Sequence, residues 1–203
     1  MSRDLLAALG LATGGAMASG LRVYGTVAAL GLLARFGALE LPPGLAVLES
    51  TPVIAIASAL YAIEFTADKV PVVDSVWDAI HTFVRVPAAA VLGYAALGHV
   101  EEPWRAAAAL LCGGLALTVH GAKSGARLAV QASPEPFSNW SLSIGEDLSV
   151  AALLWLIVSH PIVPIALAVL LLLAAAVAIR WIARSLRGLF ARERATPNGE
   201  RSA

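Results

Sequence analysis

The apolar positions of this chain fall in long runs, broken at a few places by proline, glycine and clustered charge. A membrane-spanning helix needs about 20 mostly apolar residues. Residues 162–181, IVPIALAVLLLLAAAVAIRW, meet that requirement, and Trp181 with the arginines that follow marks an interface. Residues 104–122 predict a second span, opening at Pro103-Trp104-Arg105. Residues 79–98 predict a third, which carries His81, Arg85 and Pro87. Residues 50–67 predict a fourth, with Glu64 and Asp68 at its end, and 145–160 form a shorter run closed by His160-Pro161. Residues 5–35 are interrupted by Gly14-Gly15, Gly20 and Arg22, which predicts a broken or re-entrant helix followed by a second run.

Between the runs, Leu41-Pro42-Pro43-Gly44 and residues 98–103 are clear breaks. Residues 132–140 contain Pro134 and Pro136, so no regular helix is expected there. Irregular backbone at membrane depth must be covered by protein or water. That stretch is therefore expected to be an aqueous loop or the lining of a cavity. The pattern predicts an all-α, polytopic membrane protein with about six or seven segments. One membrane domain covers 1–188, and 189–203 is expected to be a disordered basic tail.

Composition agrees. Hydrophobic residues make up 59% of the 203 and charged ones only 14%, against roughly 25% charged in soluble domains. Acids and bases balance, so net charge selects no partner beyond the lipid bilayer. After residue 178 six arginines face Glu193 and Glu200, which places the tail in the cytoplasm. That basic tail continues from the most apolar run, so no nucleic-acid partner is expected. Cys112 is the sole cysteine, which excludes an intramolecular disulfide and a paired-cysteine metal site.

Residues 5–22, LLAALGLATGGAMASGLR, reappear at 110–127 as LLCGGLALTVHGAKSGAR, each ending in Ser-Gly-x-Arg. Similar elements in two halves suggest internal duplication, with repeats at about 5–98 and 103–185. An odd number of crossings in each would invert the second. Arg22 and Arg127 would then approach one central site. Arg3 and Ala16-Met17-Ala18 mimic a signal peptide, but recurrence of the element at 110–127 argues for retention. Small residues four apart, Ala16 with Gly20 and Gly121 with Gly125, predict close helix approach.

Two charged clusters interrupt the apolar runs. In the first, Glu64 and Asp68 share a helix face, and Asp74, Asp78, His81 and Arg85 fall along one stripe beyond Pro71. Asp68, Lys69 and Asp74 flank the break and fit a solvated connection equally well. In the second, His120, Ser124 and Arg127 share a face, and Lys123 lies four residues before Arg127. Like charges at that spacing repel unless an anion or carboxylate lies between them. Glu135, Glu146, Asp147 or a bound anion could fill that role. Asn139 adds a further polar group. Charges inside membrane segments are costly and mark functional sites more often than not. Their blander reading is snorkelling bases and a solvated helix start.

The strings YAIEFTADKVPVVDSVWDAIHTFVRVPA and GAKSGARLAVQASPEPFSNWSLSIGED, with SGLRVYG near the start, resemble a family of bacterial integral membrane proteins catalogued as domain of unknown function 4126. The resemblance implies a polytopic inner-membrane protein and supplies no reaction or site.

From the residues, the leading expectation is a small transporter or channel for an anionic solute or lipid phosphate. Arg22, Glu64, Asp78, His81, Arg85, Lys123, Ser124, Arg127, Asn139, Glu146 and Asp147 are its expected site. Arg22 and Arg127 either bind the anion or pair with Glu64 and Glu146. No cofactor is expected, and a homodimer could enclose the pathway. One alternative is a membrane enzyme acting on a lipid head group, with a divalent metal on carboxylates 64, 68, 74 and 78 and His81. Another is a structural protein whose buried charges simply pair.

Overall fold

A computed structural model describes the backbone of residues 2–131 and 136–195; side chains at 71, 72, 74, 75, 131, 136, 139, 186 and 188–195 are outside the description. Among the described residues there are seven α-helices, one 3-10 segment and no strand. They are α1 (Arg3–Leu21), α2 (Val23–Arg35), the 3-10 segment (Pro43–Glu49), α3 (Thr51–Ala67), α4 (Pro71–Ala96), α5 (Glu102–Gln131), α6 (Pro136–Ser159) and α7 (Ile162–Ala195). Five are long and apolar enough to cross a membrane, or six if the 3-10 segment and α3, bent by 67°, count as one span. At 13 residues, α2 is only about 20 Å long.

Arg22 breaks the first apolar run. Its φ of −145° and ψ of 88° lie outside the helical region, so it ends α1 and begins α2. The two helices do not continue in one direction. Going up α1, Arg22 meets Ser143, Gly14 faces Ile157 and Gly10 faces Pro161, so α1 runs against α6. One groove is lined by α2 from Arg22 to Leu32 and by α6 from Asp147 to Leu154. The far end of α2 leads to Leu39–Pro43, which returns beside Asp4 and Ala8. α1 and α2 therefore form a helical hairpin with Arg22 at its tip. α3 retraces α2: Gly31 lies against Ile54, Gly25 against Tyr61, and Arg22 meets Asp68.

α1 is the central helix. Eleven of its residues are buried, and it packs on α4, α5, α6 and α7. Small residues permit this. A Cβ on Gly20 would stand 2.7 Å from the Ala116 carbonyl oxygen and 2.9 Å from Val119 Cβ. The Cys112 thiol, fully inside, points at the Ala12 carbonyl, 3.5 Å away. The expected close approach at Gly121 and Gly125 does not occur, because a Cβ at either would meet nothing within 4 Å. These two glycines lie on the exposed side of α5.

The contacts Ala12–Cys112, Gly20–Ala116 and Leu21–Lys123 climb both chains together, so α1 and α5 run parallel. The similar stretches 5–22 and 110–127 thus point the same way, and the expected inversion does not hold for them. The reason is the hairpin at Arg22. It adds a reversal, so four helices, an even number, separate the start of α1 from the start of α5.

Two other expectations shift. Residues 136–140 belong to α6, because proline is tolerated in the first turn, where its missing N–H would have no partner; residues 132–135 lie outside the described residues. α7 continues beyond 188 to Ala195, into the segment expected to be irregular, and 196–203 are outside the description.

Candidate functional site

Charges from four helices, α3 to α6, and from the hairpin tip meet in one buried network. It lies at the end of the bundle opposite the 97–101 connection. Arg22, Glu64, Asp68 and Arg85 are completely buried, and Asp78, His81, His120, Lys123, Arg127 and Glu146 nearly so.

The outer tier centres on two carboxylates. Arg127 grips Glu146 with two bonds, Nε to Oε1 at 3.1 Å and Nη2 to Oε2 at 2.9 Å. Such fork-on-fork pairs are the strongest of the charged hydrogen bonds. Glu146 Oε2 also faces Arg22 and Lys123, each at 3.3 Å. Asp68 pairs with Arg22, with Arg127 at 3.3 Å and with Lys123 at 3.9 Å. Arg22 Nε further reaches Asp147 Oδ1 at 3.0 Å, and its Nη2 donates to the Ser143 hydroxyl at 3.0 Å. Asp147 Oδ1 also accepts from the Tyr61 hydroxyl at 3.1 Å.

The inner tier is built on Arg85, whose Nη2 donates to Glu64 Oε1 at 2.7 Å and whose Nη1 donates to Asp78 Oδ1 at 2.8 Å. Arg85 Nη1 is also 2.6 Å from His120 Nδ1, which must therefore accept. His120 Nε2 then carries the proton and donates to Thr82 Oγ1 at 2.7 Å, while Thr82 donates to the Asp78 carbonyl. His81 stacks on Trp77, donates from Nδ1 to the Trp77 carbonyl at 2.7 Å, and accepts from the Tyr24 hydroxyl at Nε2, 3.1 Å away. Lys123 joins the tiers: besides Asp68 and Glu146 it lies 3.3 Å from Asp78.

Two bases also finish helices. Lys123 Nζ donates to the Leu21 carbonyl at the end of α1, and Arg127 Nη1 to the Asp68 carbonyl just past α3. Those carbonyls lack intrahelical partners, and cations are favoured at the negative end of a helix dipole. Lys123 and Arg127 share a face of α5 without net repulsion because Asp68 and Glu146 lie between them.

The network thus gathers Arg22, Glu64, Asp78, Arg85, Lys123, Arg127, Glu146 and Asp147 from the expected site, with His81 beside it. It corrects one pairing: Glu64 belongs to Arg85, and Arg22 takes Asp68, Glu146 and Asp147. Ser124 is half-buried and makes no hydrogen bond among the described residues. The Asn139 and Asp74 side chains lie outside the described residues. The expected site did not include Asp68, His120, Ser143, Tyr61, Tyr24 or Thr82. Asp68 and His120 carried a signal, the helical spacing of Asp68 from Glu64 and of His120 from Ser124 and Arg127. Lys69, in the connection after α3, lies over the Phe65 ring at 3.0 Å. Partial burial, aided by the Arg22 charge, pulls its ammonium below the ordinary lysine range.

Beside the outer tier a groove of about 290 Å³ runs between α2, α3 and α6. Arg22, Tyr61 and Asp147 close one end, and Leu32 and Leu154 lie towards the other.

Together the apolar helices and the buried ion network define a multi-pass helical membrane protein. The chain belongs to the family described as Domain of unknown function (DUF4126), whose model matches residues 9–181. No curated protein and no solved structure matches it.

Proposed function

We propose that the chain is a small proton-coupled membrane transporter in which the buried network is the coupling element. One observation carries this reading: Glu64 is completely buried, with Oε1 held by Arg85 and Oε2 without a hydrogen-bond partner among the described residues. A buried polar atom left unpaired costs free energy, and a carboxylate in that position relieves the cost by taking up a proton. Glu64 Oε2 is therefore the atom best suited to carry the coupled proton.

The pairing of the bases disfavours the anionic substrate expected from Arg22 and Arg127. Each base already faces a carboxylate, so an incoming anion would have to displace one. A metal-dependent enzyme has less support still, because among the described residues no group of three or more His, Cys, Asp or Glu is placed to hold a metal ion.

Gly10 lies against Pro161 and Gly14 against Pro164, so α7 runs with α1 and brings Arg180, Arg184 and Arg187 to the network end. The positive-inside rule then favours a cytoplasmic position for that end.

Proteoliposomes enclosing a pH-sensitive dye test the proposal. A potassium gradient with valinomycin is expected to drive protein-dependent proton flux that Glu64→Gln abolishes. Flux no greater than in empty vesicles overturns it.

A further inference from the structure

We infer that the groove between α2, α3 and α6 binds a single-chain amphiphile with a cationic amine head, its ammonium on Asp147 and its chain along the apolar walls. This goes beyond the proton-coupling proposal and does not depend on it.

The groove exists because its walls carry small side chains. Gly25, Ala28 and Ala29 on α2 face Ala151 on α6 and Ser58 on α3. Larger residues there would close the space. Leu32, Val150 and Leu154 make the remainder apolar. Ser58 and Ala151 are exposed, so the groove opens on the outer surface of the bundle. About 290 Å³ sits at the lower end of the range of small-molecule pockets, roughly 300 Å³ upwards. One slender chain suits that volume better than a two-chain lipid does.

The sign of the head group follows from which charge is accessible. Arg22 is fully buried and spends its nitrogens on Asp68, Glu146, Asp147 and Ser143. Among the described residues Asp147 is the only network carboxylate with appreciable exposure, its side chain 22% accessible against 7% or less for the others. Its Oδ1 is occupied by Arg22 and Tyr61. No bond is made at Oδ2 among the described residues, which leaves that oxygen for a ligand cation. The charge that the groove presents to a ligand is thus a carboxylate, so a cation is attracted and an anion is not. The Tyr61 ring beside Asp147 offers an ammonium a second favourable surface.

The test uses the full chain in phosphatidylcholine nanodiscs, titrated by calorimetry with decyltrimethylammonium and, separately, decyl sulfate. Saturable binding of the cation, at least tenfold weaker for the sulfate, is expected. Asp147→Asn is expected to weaken cation binding at least tenfold. Ala151→Trp, an exposed substitution that touches no charge of the network, fills the groove and should abolish binding while the protein keeps its elution volume and helical circular dichroism. Equal binding of the two heads overturns the inference. So does undiminished binding by Ala151→Trp, or a groove already filled by bilayer lipid that shows no saturable site.

Discussion

Arg22 and Arg127, the arginines that close the similar stretches 5–22 and 110–127, converge on the same two carboxylates, Asp68 and Glu146. Arg22 arrives from a helical break and Arg127 from inside a continuous helix. Equivalent positions in sequence have become neighbours through the parallel packing of α1 and α5.

Removing one arginine strands buried carboxylates. Arg127→Ala is expected to destabilise the protein by about 3–5 kcal/mol, the usual loss when one partner of a buried pair is deleted. The double variant Arg127→Met/Glu146→Leu removes both charges and should recover most of that loss. Thermal unfolding in detergent measures both. A double variant as unstable as the single one would show that the pair does more than neutralise itself.

Lys123 faces both tiers, reaching Asp68 and Glu146 in one and Asp78 in the other. Lys123→Met keeps the length of the side chain but leaves Asp78 to Arg85 alone and the Leu21 carbonyl without its donor. Its effect and that of Arg85→Met should be non-additive, with a coupling of about 0.5–3 kcal/mol as found for residues of one network. A double-mutant cycle on unfolding free energies checks this; simple additivity would mean that the tiers are independent.

The glycines should respond in opposite directions. Gly20→Ala pushes a methyl into the Ala116 backbone and should cost about 1–3 kcal/mol, as overpacking does. Gly121→Ala and Gly125→Ala meet open space in mid-helix and should stabilise by about 0.5–1 kcal/mol each. Unfolding midpoints of the three single variants decide.

The alternation of helices can be read by labelling. In a Cys112→Ala background, single cysteines at Lys69 and Ser138 should react with a membrane-impermeant maleimide from one side only. Cysteines at Glu40 and His99 should react from the other. Labelling of positions 69 and 40 from the same side would contradict the antiparallel course of α2 and α3.

Much of this was legible in the chain. Apolar runs of spanning length located α4, α5 and α7, and Gly14-Gly15, Gly20 and Arg22 located the break between α1 and α2. Membership of the charged stripe was equally readable, because helical spacing places Asp78 and Arg85, or Lys123 and Arg127, on one face. Direction and partnership were not. Whether a break at Arg22 bends a helix or reverses it depends on Ser143 and Asp147, more than a hundred residues away in sequence. Glu64 and Asp68 are one turn apart yet serve different arginines, which no spacing rule can distinguish. Asp68 looked like a loop residue because it borders Pro71, and only the arrival of three bases from elsewhere reveals it as a centre. Pro136 misled in the opposite sense, since a proline that starts a helix and one that breaks a helix look alike without knowledge of register.

The hairpin tip bears on how the protein is made. Arg22 enters the membrane early, yet its contacts with Ser143 join residues 121 apart in the chain. Until α6 emerges from the ribosome, a guanidinium at the end of an apolar helix has only Asp68 for company. Early insertion intermediates therefore lack two of the three carboxylates that Arg22 meets in the finished fold, Glu146 and Asp147, and the tip of the hairpin is completed only when α6 arrives.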